Sequence, residues 1–210
     1  GNTDVEVLAD LGILGPRYMS VHSVWISEEE IKLMADAKVH VIHNPVSNMY
    51  LGSGVAKIPE MRNAGINVAL GSDGPASNNN QDLIQSMKFA ACLHKVNKLN
   101  PAIVTAQDVL EMATINGARS LGLERKIGSI EVGKKADLII VDMEKPHIAP
   151  VHDPVASLVY CANGSDVDTV IVNGKVLMEN RKVLSLDEHK VMEKANESAE
   201  KLLDEANISS

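Results

Sequence analysis

Two residues whose side chains could take part in chemistry, His22 and Asp73, each lie just beyond the end of a short segment of the sequence that is predicted to be a strand. The segments are residues 18–21 and 66–70. In α/β folds the loops at the C-terminal ends of strands build active sites, so both side chains are expected at one such edge. An imidazole and a carboxylate at that edge suit either a metal site or acid–base chemistry.

Each of these residues also has a purely structural alternative. Asp73 could cap or turn its loop, and His22 could be a half-buried histidine whose ring bonds a neighbouring carbonyl. His43 and Asn48, at the end of the intervening strand and in its loop, are expected to support the site or to shape the loop. The remaining five histidines are interpreted as structural, namely His40, His94, His147, His152 and His189.

The elements that position these residues alternate between strand and helix. A capping box at Ser27 and Glu30 marks one helix start, and Thr105 is a predicted N-cap. The predicted strands are residues 18–21, 39–42 and 66–70, and the predicted helices are residues 4–12, the segment from Ser27, and residues 55–64, 81–97 and 106–122. This alternation predicts a parallel α/β sheet or barrel.

The pattern changes after Gly122. Residues 128–142 are predicted to be a turn and a strand, and residues 167–178 a β-hairpin whose Asn173-Gly174 forms a type I′ turn. Residues 187–206 are predicted to form a charged amphipathic helix. We therefore expect a small β unit after the α/β region.

Composition limits the class of protein. The 210 residues carry a net charge of −8 and contain 2% aromatic residues, which argues against nucleic acid or an anionic membrane as the main partner. No apolar run approaches the roughly 20 residues of a membrane span, and the N-terminus lacks a signal-peptide pattern. Cys92 and Cys161 lie far apart in apolar stretches and are expected to be reduced core thiols. These features predict a cytoplasmic protein.

Five segments of the sequence, in order, resemble the C-terminal half of the amidohydrolase superfamily. They are residues 22–25, 43–54, 71–79, 113–122 and 128–138. The 5′-methylthioadenosine/S-adenosylhomocysteine deaminases are the most similar group, with guanine deaminases and triazine hydrolases as relatives. The resemblance implies an α/β fold, the C-terminal portion of a (β/α)₈ TIM-like barrel plus part of a small composite β-sandwich. It divides the chain into barrel (1–127), sandwich (128–183) and C-terminal helix (184–210).

The resemblance also implies an activity, the metal-dependent hydrolytic deamination of an adenine nucleoside such as methylthioadenosine or adenosylhomocysteine. Asp73 is implied to contact the divalent metal and to handle the proton of the metal-bound water. His22 is implied to polarise that water or to hydrogen-bond the substrate. His43, Asn48 and Ser77 are implied to contact the substrate or to support the site. The implied metal is zinc, with iron or manganese as alternatives.

The other metal ligands of the family have no counterpart in this sequence, which contains no His-x-His. The isolated chain is therefore expected to be inactive and to require the N-terminal half of the barrel as a partner. A half-barrel exposes sheet edges and an apolar interior, so a homo-oligomer is expected. The alternatives are a guanine deaminase or triazine-type hydrolase, and a non-catalytic half-barrel that self-associates.

Overall fold

The three segments predicted as strands pair with one another in a parallel sheet. In the computed structural model, which describes residues 2–208, strands β1 (Met19–Val21), β2 (His40–His43) and β3 (Asn67–Leu70) lie in that order. Met19 lies opposite His40 in the register of the first pair. The predicted parallel, adjacent arrangement is confirmed.

The two faces of this sheet differ in burial. Val41 and Val68 lie opposite each other and are fully buried. Met19 and Val21 occupy alternate positions of β1 and are 42% and 51% exposed. Side chains alternate between faces along a strand, so Met19 and Val21 of the edge strand leave apolar surface in contact with solvent on the face opposite Val41. On that same face Ala69 of β3 is buried.

The sheet and its helices form the first of two compact units, which comprises residues 2–135 and 143–166. Both predicted capping residues are confirmed, since Ser27 and Thr105 each form a capping box with the residue three positions later. The helices of this unit are α1 (Asp4–Asp10), α2 (Glu28–Asp36), α3 (Pro45–Tyr50), α4 (Ile58–Asn63), α5 (Pro75–Asn78), α6 (Leu83–Lys98), α7 (Ala106–Ala113), α8 (Ile115–Ser120) and α9 (Pro154–Tyr160), with a 3₁₀ turn at Gly164–Asp166.

The prediction of one continuous helix over residues 106–122 is wrong. The segment 106–122 forms two helices, α7 and α8, because the backbone breaks at Thr114 with φ −127° and ψ −96°. The break allows the Asn116 side chain to donate a hydrogen bond of 3.0 Å to the carbonyl of Val68 in β3. A continuous helix would follow the propensity of the segment, but the hydrogen bond to the strand ties α8 to the sheet.

The prediction that both cysteines are core residues is also wrong. Cys92 and Cys161 are exposed free thiols. Cys92 lies on the same face of α6 as Phe89 and Val96, which are themselves exposed. The apolar surroundings of Cys92 in the sequence therefore form an exposed stripe of the helix and not part of the core.

The second unit comprises residues 136–142 and 167–208 and contains a four-stranded antiparallel sheet. The predicted hairpin is confirmed, with positive φ at Asn173 (50°) and Gly174 (79°) between its two strands. The strands of this sheet, in spatial order, are β4 (Leu138–Val141), β5 (Val167–Val172), β6 (Lys175–Glu179) and β7 (Lys182–Val183).

The last element of this unit is the helix α10 (Glu188–Glu205), none of whose residues is buried. No helix within residues 2–208 combines the length and the apolar character needed to cross a bilayer. The domain boundaries at residues 127 and 183 stay a prediction.

Candidate active site

His22 and Asp73 lie together at the C-terminal edge of the parallel sheet, as predicted. His22 follows β1 and Asp73 follows the end of β3, and His22 Nε2 lies 3.7 Å from Asp73 Oδ2. Their side chains are 39% and 31% exposed. The two groups are thus held close to each other and remain open to a solute.

Both residues have an unusual backbone conformation. His22 has φ 65°, Ser23 has φ 51° and Asp73 has φ 60°, all in the left-handed region that non-glycine residues rarely adopt. Such conformations cost free energy and concentrate at functional sites. Lys38, Leu99 and Asn173 share this conformation in turns away from the site, so at His22 and Asp73 it is equally consistent with the tight turns that follow β1 and β3.

The carboxylate of Asp73 is fixed by hydrogen bonds to both of its oxygens. The Ser47 hydroxyl donates to Oδ2 at 2.6 Å, and the Gly74 amide donates to Oδ1 at 2.8 Å. The Ser47 hydrogen bond, followed by those from Gly74 and Ser77, holds the pKa of Asp73 below its usual range. Asp73 is therefore an ionised acceptor at neutral pH.

Two of the three predicted supporting residues lie at the site. Asn48 Oδ1 lies 2.8 Å from His22 Nδ1, so the amide contacts the imidazole directly. The Ser77 hydroxyl donates to the Gly74 carbonyl at 3.1 Å and also favours the ionised form of Asp73. Asn48 and Ser77 thus each support one of the two principal groups.

The third, His43, ends β2 and contacts a residue of α6, and its supporting role stays a prediction. Its ring is completely buried, and its Nε2 lies 3.0 Å from the Nε2 of His94 in α6. Burial lowers the pKa of His94 to about 4 and that of His43 well below its usual value, with His94 and then His22 adding to the effect on His43. Within residues 2–208 the His43 ring bonds His94 and not Asp73, so the two form a neutral pair behind the site.

Ser47 is the site residue that the sequence interpretation missed. It is buried in the short helix α3 and contacts Asp73 from 26 residues away in the chain. The only signal in the sequence is its position next to Asn48, and Ser47-Asn48 is also ordinary turn chemistry. The contact depends on how α3 packs against the loop that carries Asp73.

Gly71 permits the close approach of this loop to β2. A Cβ at this position would lie 2.3 Å from Asn44 Oδ1 and 3.2 Å from Ile42 Cγ2. Asn44 is buried, so it has little room to move.

Replacing Gly71 with alanine is therefore expected to destabilise the protein by about 1–3 kcal/mol, because overpacking must displace buried atoms. The measurement is the free energy of unfolding in urea. Gly117→Ala is the control: no atom lies within 4 Å of its added Cβ, and the substitution should stabilise α8 by about 0.5–1 kcal/mol. Equal effects of the two substitutions would contradict the steric explanation.

The described residues do not by themselves fit a catalytic zinc site. Across residues 2–208, no group of three or more His, Cys, Asp or Glu side chains is arranged to hold a metal ion. Catalytic zinc ordinarily takes three protein ligands. Asp73 and His22 provide a carboxylate and an imidazole, which is one donor too few.

Comparisons with curated proteins give consistent results. The family model described as "Amidohydrolase family" matches residues 2–177. A 5′-deoxyadenosine deaminase of Methanosarcina acetivorans is 51% identical over 207 residues, which cover 99% of this chain and 48% of the relative. A 5-methylthioadenosine/S-adenosylhomocysteine deaminase of Acetivibrio thermocellus is 46% identical, covering 97% of this chain and 47% of the relative. The chain spans about half the length of the curated relatives it matches.

Solved structures with the same fold include zinc enzymes. A zinc-bound adenosine deaminase from Xanthomonas campestris superposes with a TM-score of 0.92 at 35% identity, over 94% of this chain and 45% of that one. An atrazine chlorohydrolase from Arthrobacter aurescens in complex with zinc gives a TM-score of 0.86 at 32% identity, over 94% of this chain and 43% of that one. Each of these solved structures thus has the same fold over 94% of this chain.

Proposed function

Since the chain belongs to the amidohydrolase family, we propose that it supplies a carboxylate and an imidazole to the active site of a hydrolytic deaminase of adenine nucleosides. The observation that carries the proposal is the separation of 3.7 Å between His22 Nε2 and Asp73 Oδ2. This distance is longer than a direct hydrogen bond, and one water molecule beside both atoms can bond to each of them.

Hydrolytic deamination requires water to add to carbon 6 of the purine and ammonia to leave. In the proposed reaction Asp73 accepts a proton from the attacking water, and His22 Nε2 hydrogen-bonds the same water or the hydroxyl that it forms. The proton then passes to the departing amino group, so that the products are the 6-oxopurine and ammonia. A positioned carboxylate is well suited to this role, since it remains ionised at neutral pH.

The partner proposed for this chain is the N-terminal half of the barrel, with residues 1–127 forming the C-terminal portion. A divalent metal, expected to be zinc, needs more ligands than His22 and Asp73 offer, and the N-terminal half would have to supply them. The chain covers a little under half of the length of its relatives, 48% in one curated protein and 45% in one solved structure, which supports a division of the barrel into two halves. Met19 and Val21 expose apolar side chains on β1, which supports the proposal that another polypeptide covers this face of the sheet.

Two alternatives remain open to the same test. The similarity to an atrazine chlorohydrolase favours a triazine-type hydrolase, with a guanine deaminase as a related possibility. The exposed apolar face of β1 favours a non-catalytic half-barrel that self-associates. Substrate preference separates a triazine-type hydrolase or guanine deaminase from the adenine nucleoside deaminase. The absence of turnover in any assembly would identify the non-catalytic half-barrel.

We expect a polypeptide of these 210 residues to release no ammonia and to bind zinc weakly, because it offers too few ligands. Adding a complementary N-terminal half should produce ammonia release that chelation removes. The measurements are an ammonia assay with 5′-deoxyadenosine, methylthioadenosine, adenosylhomocysteine and guanine, a chloride assay with the triazine atrazine, and zinc titration by calorimetry.

Robust turnover by the 210 residues alone would show that the ligand argument is wrong. Turnover of guanine or the triazine but none of the adenosine derivatives would replace the proposed substrate class. No turnover of any substrate by the reconstituted pair, with large oligomers of the chain alone, would favour the self-associating half-barrel.

A further inference from the structure

One short helix contacts both principal groups of the site through two adjacent residues. In α3, Ser47 bonds the carboxylate of Asp73 and Asn48 contacts the ring of His22. Ser47 and Asn48 are each 1% exposed, so neither side chain has room to reorient easily. The positions of the carboxylate and the imidazole therefore depend on a single turn of helix.

The contact with Asn48 determines where the proton of a neutral His22 ring lies. An amide oxygen can only accept a hydrogen bond, so the 2.8 Å contact with Asn48 Oδ1 is a hydrogen bond only when Nδ1 carries the proton. In the neutral imidazole the other nitrogen, Nε2, then has a free lone pair. That nitrogen is the one that lies 3.7 Å from Asp73 Oδ2.

We propose that Asn48 is a positioning residue that fixes His22 as the Nδ1–H tautomer and thereby makes Nε2 a hydrogen-bond acceptor at the site. Nε2 and the Asp73 carboxylate are then two acceptors directed at one proton-bearing group, such as a water molecule. The opposite tautomer would place an N–H donor at Nε2 and would leave only Asp73 to accept. The catalytic meaning of this tautomer rests on the proposed function, whereas the tautomer itself does not.

A second observation distinguishes this position from ordinary packing. Asn48 Nδ2 is buried and has no hydrogen-bond partner among the described residues. An unpartnered buried donor costs stability, and an apolar side chain of similar volume would avoid that cost. Asparagine at this position therefore provides an oxygen acceptor next to His22 at some cost in stability. Because Asn48→Leu removes the unpartnered donor, we expect this variant to fold.

The test is histidine NMR of the 210-residue chain at pH 9, where imidazoles are ordinarily neutral. In the ¹⁵N-labelled protein we expect the His22 signals, assigned by their loss in His22→Gln, to show a protonated Nδ1 and an unprotonated Nε2. In Asn48→Leu the ratio of Nδ1–H to Nε2–H should fall about tenfold, the value of one good hydrogen bond. Asn48→Asp, which keeps an oxygen acceptor in the same place, should retain the proton on Nδ1.

Ser47→Ala is the matched control, because it changes an equally buried neighbour in the same helix without touching His22. It should shift the His22 tautomer less than Asn48→Leu does, because it frees an oxygen of Asp73 near Nε2 but leaves the acceptor beside Nδ1 in place. A general disturbance of α3 would affect both variants alike. An Nε2–H tautomer in the unsubstituted chain, or the same shift in Ser47→Ala as in Asn48→Leu, would overturn the proposal. No substrate or metal is needed, so failure of the deamination assay and failure of this inference are separate results.

Discussion

Replacing Asp73 with alanine should lower kcat of the reconstituted deaminase by about 10²–10⁴-fold, the range that a positioned general base contributes. The reason is that both oxygens of Asp73 are held by donors, from Ser47 and Gly74, which keep the carboxylate ionised and fixed beside His22. Alanine removes this acceptor entirely, whereas Asp73→Asn keeps the shape but loses the charge. Both variants should therefore lose activity.

The assay compares kcat at saturating substrate and equal concentrations of folded protein. His43→Ala should cause a smaller loss, because its ring bonds His94 behind the site and not the reacting groups. Asp36→Ala is the control for loss of an exposed carboxylate, and its kcat should be unchanged. If Asp73→Ala retained more than about a tenth of kcat, the role of Asp73 as a base would be wrong.

Acidification from pH 7 to pH 5 should destabilise the first unit by about 2 kcal/mol through His94 alone. Burial lowers the pKa of His94 from 6.5 to about 4 in the folded chain. The unfolded chain therefore binds more protons than the folded chain throughout this interval, and stability falls as the pH falls. The stabilising contribution is complete above the unfolded pKa of 6.5 and is lost towards pH 4. His43 acts in the same direction, since its pKa is also lowered.

Urea unfolding at pH 7, 6 and 5 measures this effect. The double variant His43→Leu/His94→Met removes both buried imidazoles and should flatten the pH dependence, while His189→Gln, on the exposed helix α10, should leave the slope unchanged. A free energy of unfolding that does not change between pH 7 and pH 5 in the unsubstituted chain would contradict the prediction. That measurement does not depend on whether the double variant folds.

The sequence determined the location of the candidate site because strand ends have local signals. The apolar run before Asp73 and the residues around it predict a strand followed by a turn, and the same reasoning applies to His22. In a parallel sheet the C-terminal ends of neighbouring strands meet at one edge, so the sequence pattern alone predicts that the two residues lie together. The hairpin at Asn173-Gly174 was predictable for a similar reason, since its turn type depends on two adjacent residues.

Only the tertiary structure decided which side chains contact each other. Ser47 reaches Asp73 across 26 residues, and His43 reaches His94 across 51. The exposure of Cys92 depends on which face of α6 packs against the neighbouring helices α3, α7 and α9, and the break at Thr114 accompanies a hydrogen bond from Asn116 to β3. Propensities and turn residues act over a few neighbouring positions, whereas these contacts arise when separate elements pack. The sequence therefore located His22 and Asp73, but packing decided that Ser47 and Asn48 hold them and that His43 does not.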